Sequence, residues 1–250
     1  MTLEEFFNKY PNVILAYSGG VDSTYLLYVA KRYAQNVRAI FVRTAFQPEF
    51  EVQDARDFCA SHDVALEIIE YDILQHEEIV SNPVHRCYYC KRAILQAIRR
   101  VMTSYAGYIL MDGTNADDDE GDRPGMKALR ELGILSPLRM CDYTKQRIRD
   151  ALREAGVSLW NKPAYACLAT RIAHGETITH EKLETTEYAE GCLMKLGFRD
   201  IRVRRIHNTA KIQIRAEDFP RFIENRCMIY KILHTHYEQI TLDLRARDDE

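Results

Sequence analysis

The chain has 250 residues, enough for one large domain or for a medium domain with a small one. Hydrophobic residues make up 46% and charged residues 28%, the balance of a soluble globular protein. No run approaches the roughly 20 apolar residues that span a bilayer, and a net charge of −3 excludes a molecule that draws nucleic acid through its overall field.

Leu3 to Tyr10 reads as an acidic, amphipathic helix and not as a signal peptide, so a cytoplasmic protein is expected. Asn12 to Tyr17 (NVILAY) is a short apolar run of the kind buried in a sheet, and it stops at Ser18-Gly19-Gly20. A helix from about Asp22 to Ala34, a strand at Val37 to Val42, a helix at Glu49 to His62 and a strand at Ala65 to Tyr71 follow. Next come a helix at Cys90 to Tyr105 and a strand at Tyr108 to Met111. Buried strands alternating with helices predict an α/β fold, an open parallel sheet covered on both faces.

Asp112 to Gly125 is polar, acidic and Gly-rich, the composition of a loop. Thr144 to Ala155 reads as a helix ended by Gly156, Lys162 to Gly175 as irregular, and Thr179 to Leu196 as a helix with Thr179 at its N-cap. From Ile201 the apolar residues alternate, first Ile201, Val203 and Ile206, then Ala210, Ile212 and Ile214, which predicts an antiparallel hairpin. A helix from Ala216 to Arg226 and a strand near Gln239 to Leu244 complete a small C-terminal α+β domain. The change of pattern places the domains at 1–175 and 176–250.

Seven cysteines, an odd number with no secretory signal, argue against a disulfide framework. Cys59, Cys192 and Cys227 lie in apolar helical patterns and are expected to be buried small hydrophobes. Cys87-Tyr88-Tyr89-Cys90 is a CxxC placed just before a helix, a spacing that alone fits zinc, an iron–sulfur centre, a redox dithiol or a chance pair. Cys167, in Tyr165-Ala166-Cys167-Leu168-Ala169-Thr170-Arg171, has the polar and basic surroundings of an activated thiolate.

The strongest signal is Ala16-Tyr17-Ser18-Gly19-Gly20-Val21-Asp22-Ser23, a buried strand feeding a Ser-Gly-Gly turn that opens a helix. Gly19 and Gly20 let backbone N–H groups approach an anion, the helix N-terminus adds donors and a positive dipole end, and Ser18 and Ser23 add hydroxyls. Asp22 is suited to hold a Mg²⁺ bridging phosphates. The segment resembles the pyrophosphate loop of the N-type ATP pyrophosphatases. It has no Walker-type lysine, and the resemblance implies cleavage of ATP between the α- and β-phosphates. Asp112-Gly113-Thr114-Asn115-Ala116-Asp117-Asp118 is similar to a second nucleotide-site stretch of that group, which makes Asp112, Thr114 and Asp117 candidates for ATP or Mg²⁺ contact. Arg43 and Thr44, just beyond the second strand, border the adenosine position by topology.

Taken in order, SGGVDS, RCYYCK, DGTNADDDEGDRPGMKA, WNKPAYACLATRI, RVRRIHN and TLDL resemble the LarE family over nearly the whole chain. These ATP-dependent sulfur transferases have an adenine nucleotide alpha hydrolase-like ATP pyrophosphatase domain and build the nickel-pincer nucleotide cofactor. The resemblance implies adenylation of a carboxylate of pyridinium-3,5-biscarboxylate mononucleotide and its conversion to a thiocarboxylate. It implies ATP, Mg²⁺ and a [4Fe–4S] cluster on Cys87, Cys90 and Cys167, with sulfide or another sulfur donor supplying the cluster. The alternative within the family is a sacrificial Cys167. Lys91 and Arg171 match catalytic basic positions, Arg123 lies in another matching stretch, and Arg202 and Arg204 match an arginine pair near the active site. Glu190 and Asp218 correspond to acidic metal ligands of some relatives, but the third member of that set is Gln213 here. Relatives form hexamers, so a homo-oligomer is implied, while the net charge of −3 and the lack of a long apolar run argue against nucleic acid and membrane partners. A tRNA thiolation enzyme would share the loop and the three cysteines but needs a broad basic surface. An amidotransferase-type synthetase needs no such cysteines.

Overall fold

A computed structural model of the protein describes residues 1–118 and 124–247. In chain order the elements are α1 (Leu3–Lys9), β1 (Asn12–Ala16), α2 (Val21–Tyr33), β2 (Asn36–Arg43), α3 (Glu49–Ser61), β3 (Ala65–Glu70), α4 (Glu77–Val80) and α5 (Arg86–Met102). They continue with β4 (Ile109–Asp112), α6 (Pro124–Glu131), α7 (Pro137–Met140), α8 (Lys145–Glu154) and α9 (His180–Lys195). The last are β5 (Arg202–Ile206), β6 (Thr209–Gln213), α10 (Phe219–Glu224), α11 (Arg226–Leu233) and β7 (Gln239–Leu242). No helix among the described residues is long and apolar enough to cross a membrane.

The chain divides into two compact units, Met1–Ile73 with His85–Tyr165, and Leu74–Val84 with Ala166–Glu250. The second unit takes in 74–84, a segment that a single cut near residue 175 leaves with the first. Hydrogen bonds explain the assignment: Asn82 Nδ2 donates to the carbonyls of Ile172 and Ala173, and Gly175 N–H donates back to Asn82 O.

The first unit carries a four-stranded sheet in the order β3-β2-β1-β4, with every pairing parallel. Alternate residues of the central strands feed two separate cores. Val13 and Leu15 of β1 and Ala39 and Phe41 of β2 pack into one, together with residues of α1, α2 and α3. Ile14, Ile40 and Val42 pack into the other, together with residues of α5 and α6. Each Val, Leu, Ile or Phe side chain among these, when fully buried, stabilises the fold by about 1.5–3 kcal/mol. Burial on both faces is why these strands read as unbroken apolar runs.

The second unit has a sheet ordered β5-β6-β7, with β5 and β6 antiparallel and β7 added parallel to β6. Leu193, Val203, Ile212, Ile214, Phe222 and Leu233 form its core. The Thr179 hydroxyl accepts from Lys182 N–H at the start of α9, the cap expected from the sequence.

Three expectations need correction. Helix α5 begins at Arg86, so Cys87 and Cys90 lie within its first turns and not before it. Nothing in Arg86-Cys87-Tyr88-Tyr89 breaks a helix, and Tyr88 N–H already bonds His85 O. The loop after β4 does not run to Gly125, because α6 starts at Pro124, a favoured residue in a first turn. Of the three cysteines expected inside, Cys59 is buried, Cys192 is half-buried and Cys227 is exposed. Cys227 lies in α11 beside Met228 and Tyr230, which are also exposed, so the apolar pattern there marks an outer face.

Candidate active site

The parallel register sets Ala16 opposite Asp112, so the turn leaving β1 and the loop leaving β4 emerge side by side. The chain turns to β2 on one side of β1 and to β4 on the other, and ligands of open parallel sheets bind at such switch points.

Gly19 has φ +73°, a left-handed conformation that disfavours a side chain, and a Cβ there would lie 3.2 Å from the Glu51 carbonyl oxygen. Gly20 is the N-cap of α2, and no side chain caps that helix. The N–H groups of its first turn are thus directed at the mouth of the turn with the positive end of the dipole behind them. The Ser18 and Ser23 hydroxyls lie 3.0 Å apart, and Ser23 Oγ donates to Gly20 O. Beneath the turn the Tyr17 hydroxyl bonds the Thr24 hydroxyl, with both residues buried.

The β4 loop closes against this turn. A Cβ on Gly113 would lie 2.8 Å from Ser23 Cα, so only glycine permits the approach. Asn115 is fully buried; its Nδ2 donates to Asp22 Oδ2 at 2.8 Å, and its Oδ1 accepts from Asp117 N–H at 2.9 Å. Burial pushes the Asp22 carboxyl above its ordinary range, the Asn115 amide opposes that, and the nearby Asp118 adds to it. Asp112 organises the loop. It accepts from the Thr114 and Ser136 hydroxyls, each at 2.6 Å, and from Lys91 Nζ at 3.0 Å. Asp117 Oδ2 accepts from Lys145 N–H at the first residue of α8.

The expected nucleotide contacts therefore separate by position. Ser18, Gly19, Gly20, Asp22 and Ser23 form the turn, while Asp112, Thr114 and Lys91 form a network beside it. Arg43 pairs with Glu49 and Glu70, and Thr44 is buried with its hydroxyl on Gln47, so both shape the β2 exit. Arg123 lies outside the described residues. Lys162, not singled out from the sequence, places Nζ 3.3 Å from Gly19 O and 2.7 Å from Asp54 Oδ2. The backbone carbonyl of Lys162 is held by Arg149 of α8. Asn115 stood within a motif already quoted, whereas Ser136 had no local signal at all.

Cys87 and Cys90 are three residues apart on α5, exposed and half-buried respectively. Helix positions so spaced carry Cβ atoms about 5–6 Å apart, which suits two thiolates on one metal centre. Cys167 belongs to the second unit, so neither unit holds all three of these thiols. Among the described residues, no group of three or more His, Cys, Asp or Glu side chains is arranged to hold a metal ion.

In the second unit, the Cys167 carbonyl accepts from Thr170 N–H and Oγ1, shaping a 3₁₀ turn at Leu168–Arg171. Arg171 is 1% exposed; its Nε and Nη2 bond the two oxygens of Glu190 at 2.7 and 3.2 Å, and its Nη1 bonds Thr170 Oγ1. Glu190 also accepts from Val203 N–H. The pair ties the turn, α9 and β5 together, and Glu190 serves as an internal anion. Arg204 bonds the carbonyl of Thr170 and Gln213 Oε1, and Gln213 Nε2 donates to Asp243. Arg202 is buried and bonds Ile201 O; burial, with Arg171 and Arg247 nearby, pushes its guanidinium down to about 10.

Comparison with known proteins agrees with this geometry. Residues 12–84, the part of the chain with the turn, match the family model described as queuosine biosynthesis protein QueC. Over 98% of its length the chain is 33% identical to the uncharacterized protein slr1717 of Synechocystis, covering 92% of that protein. It is 31% identical to the uncharacterized protein MJ0830 of Methanocaldococcus jannaschii over 91% of the chain and 86% of that protein. It is 28% identical to the pyridinium-3,5-bisthiocarboxylic acid mononucleotide synthase of Lactiplantibacillus plantarum, over 97% of the chain and 89% of that protein.

Proposed function

Since the chain belongs to the LarE family of ATP-dependent, adenylating sulfur transferases, we propose that it adenylates a carboxylate of pyridinium-3,5-biscarboxylate mononucleotide and replaces the activated oxygen with sulfur. A carboxylate oxygen attacks the α-phosphorus of ATP, the bond to the bridging oxygen breaks, and pyrophosphate leaves with Mg²⁺. A sulfur nucleophile then attacks the acyl carbon, and AMP departs with the original oxygen. The product is the thiocarboxylate needed for a nickel-pincer nucleotide.

One observation carries the reading: the uncapped start of α2 behind Ser18-Gly19-Gly20, with Asp22 fixed at its lip by Asn115. Backbone donors at that start suit a departing diphosphate, whose charge grows as the bond breaks. Asp22 is placed to bind Mg²⁺, and Thr114 and Lys91 to steady the nucleotide beside it. Arg202 and Arg204 are read as contacts for the phosphate of the mononucleotide.

For the sulfur step, Cys87, Cys90 and Cys167 are read as ligands of a [4Fe–4S] cluster. When bound on three thiolates, such a cluster leaves one iron open for hydrosulfide. Cys87 and Cys90 have no place in a sacrificial mechanism, which needs Cys167 alone. Anaerobic purification with iron and sulfide analysis decides between them. About four irons per chain, lost when Cys87, Cys90 or Cys167 is changed to Ala, is the expected result. An iron-free protein that transfers sulfur once per chain and converts Cys167 to dehydroalanine would overturn the cluster. The second unit is assigned to substrate binding and to assembly of a homo-oligomer.

A further inference from the structure

The sequence pairs Asp218 with Glu190 as cation ligands, but the surroundings of Asp218 have the opposite sign. It lines a cleft of about 440 Å³ in the second unit, with Gly197, Arg199, Arg215, Glu217 and Arg221. Three guanidiniums face two carboxylates there, and Arg215 pairs through Nη2 with Glu217, so the excess charge is positive and lies on Arg199 and Arg221. Asp218 is only 5% exposed, and its Oδ2 has no hydrogen-bond partner among the described residues; nor has the buried Nε of Arg215. The two lie 3.7 Å apart, and Arg221 Nη1 lies 3.9 Å from Asp218 Oδ1. Both separations exceed hydrogen-bond length, so the arginines neutralise the carboxylate without satisfying it. Arg221 is held in place, donating to Gly197 O at 2.8 Å above the Phe198 ring. Arg199 is exposed at the rim.

We propose that this cleft is an anion site that takes hydrogen phosphate. Its ligand must offer negative oxygens to Arg199, Arg215 and Arg221 and at the same time one proton to Asp218 Oδ2. Near neutral pH hydrogen phosphate carries a P–OH and meets both demands. Sulfate has the same shape and charge but no proton to give, and it leaves the buried carboxylate unpaired. A fully ionised phosphate monoester shares that defect.

Isothermal titration of the full chain with phosphate, sulfate and glycerol phosphate, at constant ionic strength, tests this. Phosphate is expected to bind at least about tenfold more tightly than the other two, the scale of one charge-assisted hydrogen bond. Arg199→Ala should weaken phosphate by about the same factor, and Asp218→Asn should bring phosphate down to the level of sulfate. Melting curves check that the variants fold; Arg199 is exposed, so its variant keeps the test open if Asp218→Asn does not fold. Equal affinity for phosphate and sulfate, no phosphate binding, or phosphate binding unchanged in Arg199→Ala overturns the proposal. So does a phosphate event abolished by Ser23→Ala, which would assign it to the turn of the first unit.

Discussion

Asp22 sits where burial works against its charge. Its carboxyl is pushed up, which means that the folded chain holds the Asp22 proton more tightly than the unfolded chain does. Stability contributed by that proton is present below the unfolded value of about 3.9 and is lost as pH rises toward the higher folded value. Above both, ionised Asp22 destabilises the ligand-free protein. Asp22→Asn keeps the shape and can still accept from Asn115 Nδ2. In melting experiments without ATP or Mg²⁺, it is expected to be more stable than wild type at pH 7, the difference shrinking in acid. Adenylate formation should fall at least about 100-fold. A variant less stable than wild type at pH 7 would show that Asp22 is there for the fold. Lys162 belongs to the same scale, a mostly buried cation held against the carbonyl of Gly19.

Between elements, the Arg171–Glu190 pair is a buried tie within the second unit, joining the turn after Cys167 to α9 and β5. Removing one partner leaves the other charge buried. Glu190→Ala is therefore expected to lower the unfolding free energy by about 3–5 kcal/mol, and the double change with Arg171→Ala by less than the two single losses combined. Urea unfolding measures both; additive losses would mean that the pair is not coupled. The sequence marked Arg171 and Glu190 as site residues because the resemblance did, and local pattern carries no sign of which charges are buried together. The same limit explains α4 and α7, each a four-residue helix too short to show a period. It also explains the start of α5, where continued helix-compatible residues hide the boundary. By contrast β1, β2 and the turn between Ala16 and Val21 were plain in the sequence, since double-sided burial and the demand for glycine are both local.

At the scale of the molecule, the parallel sheet positions the proposed adenylation chemistry, and the register of β1 against β4 brings the motifs that begin at Ser18 and Asp112 to one edge. That juxtaposition was readable as a consequence of topology. The contribution of Leu74–Val84 to the second unit was not, because it rests on hydrogen bonds from Asn82 to residues 90 positions away. The central claim is that the start of α2 grips the diphosphate of ATP as a carboxylate is activated. Isotope exchange between labelled pyrophosphate and ATP, with pyridinium-3,5-biscarboxylate mononucleotide present and sulfur absent, tests it most directly. Wild type should exchange, and Ser23→Ala should lose roughly tenfold or more. Exchange that is absent from wild type, or undiminished when both Ser23→Ala and Asp22→Asn are introduced, would contradict the account.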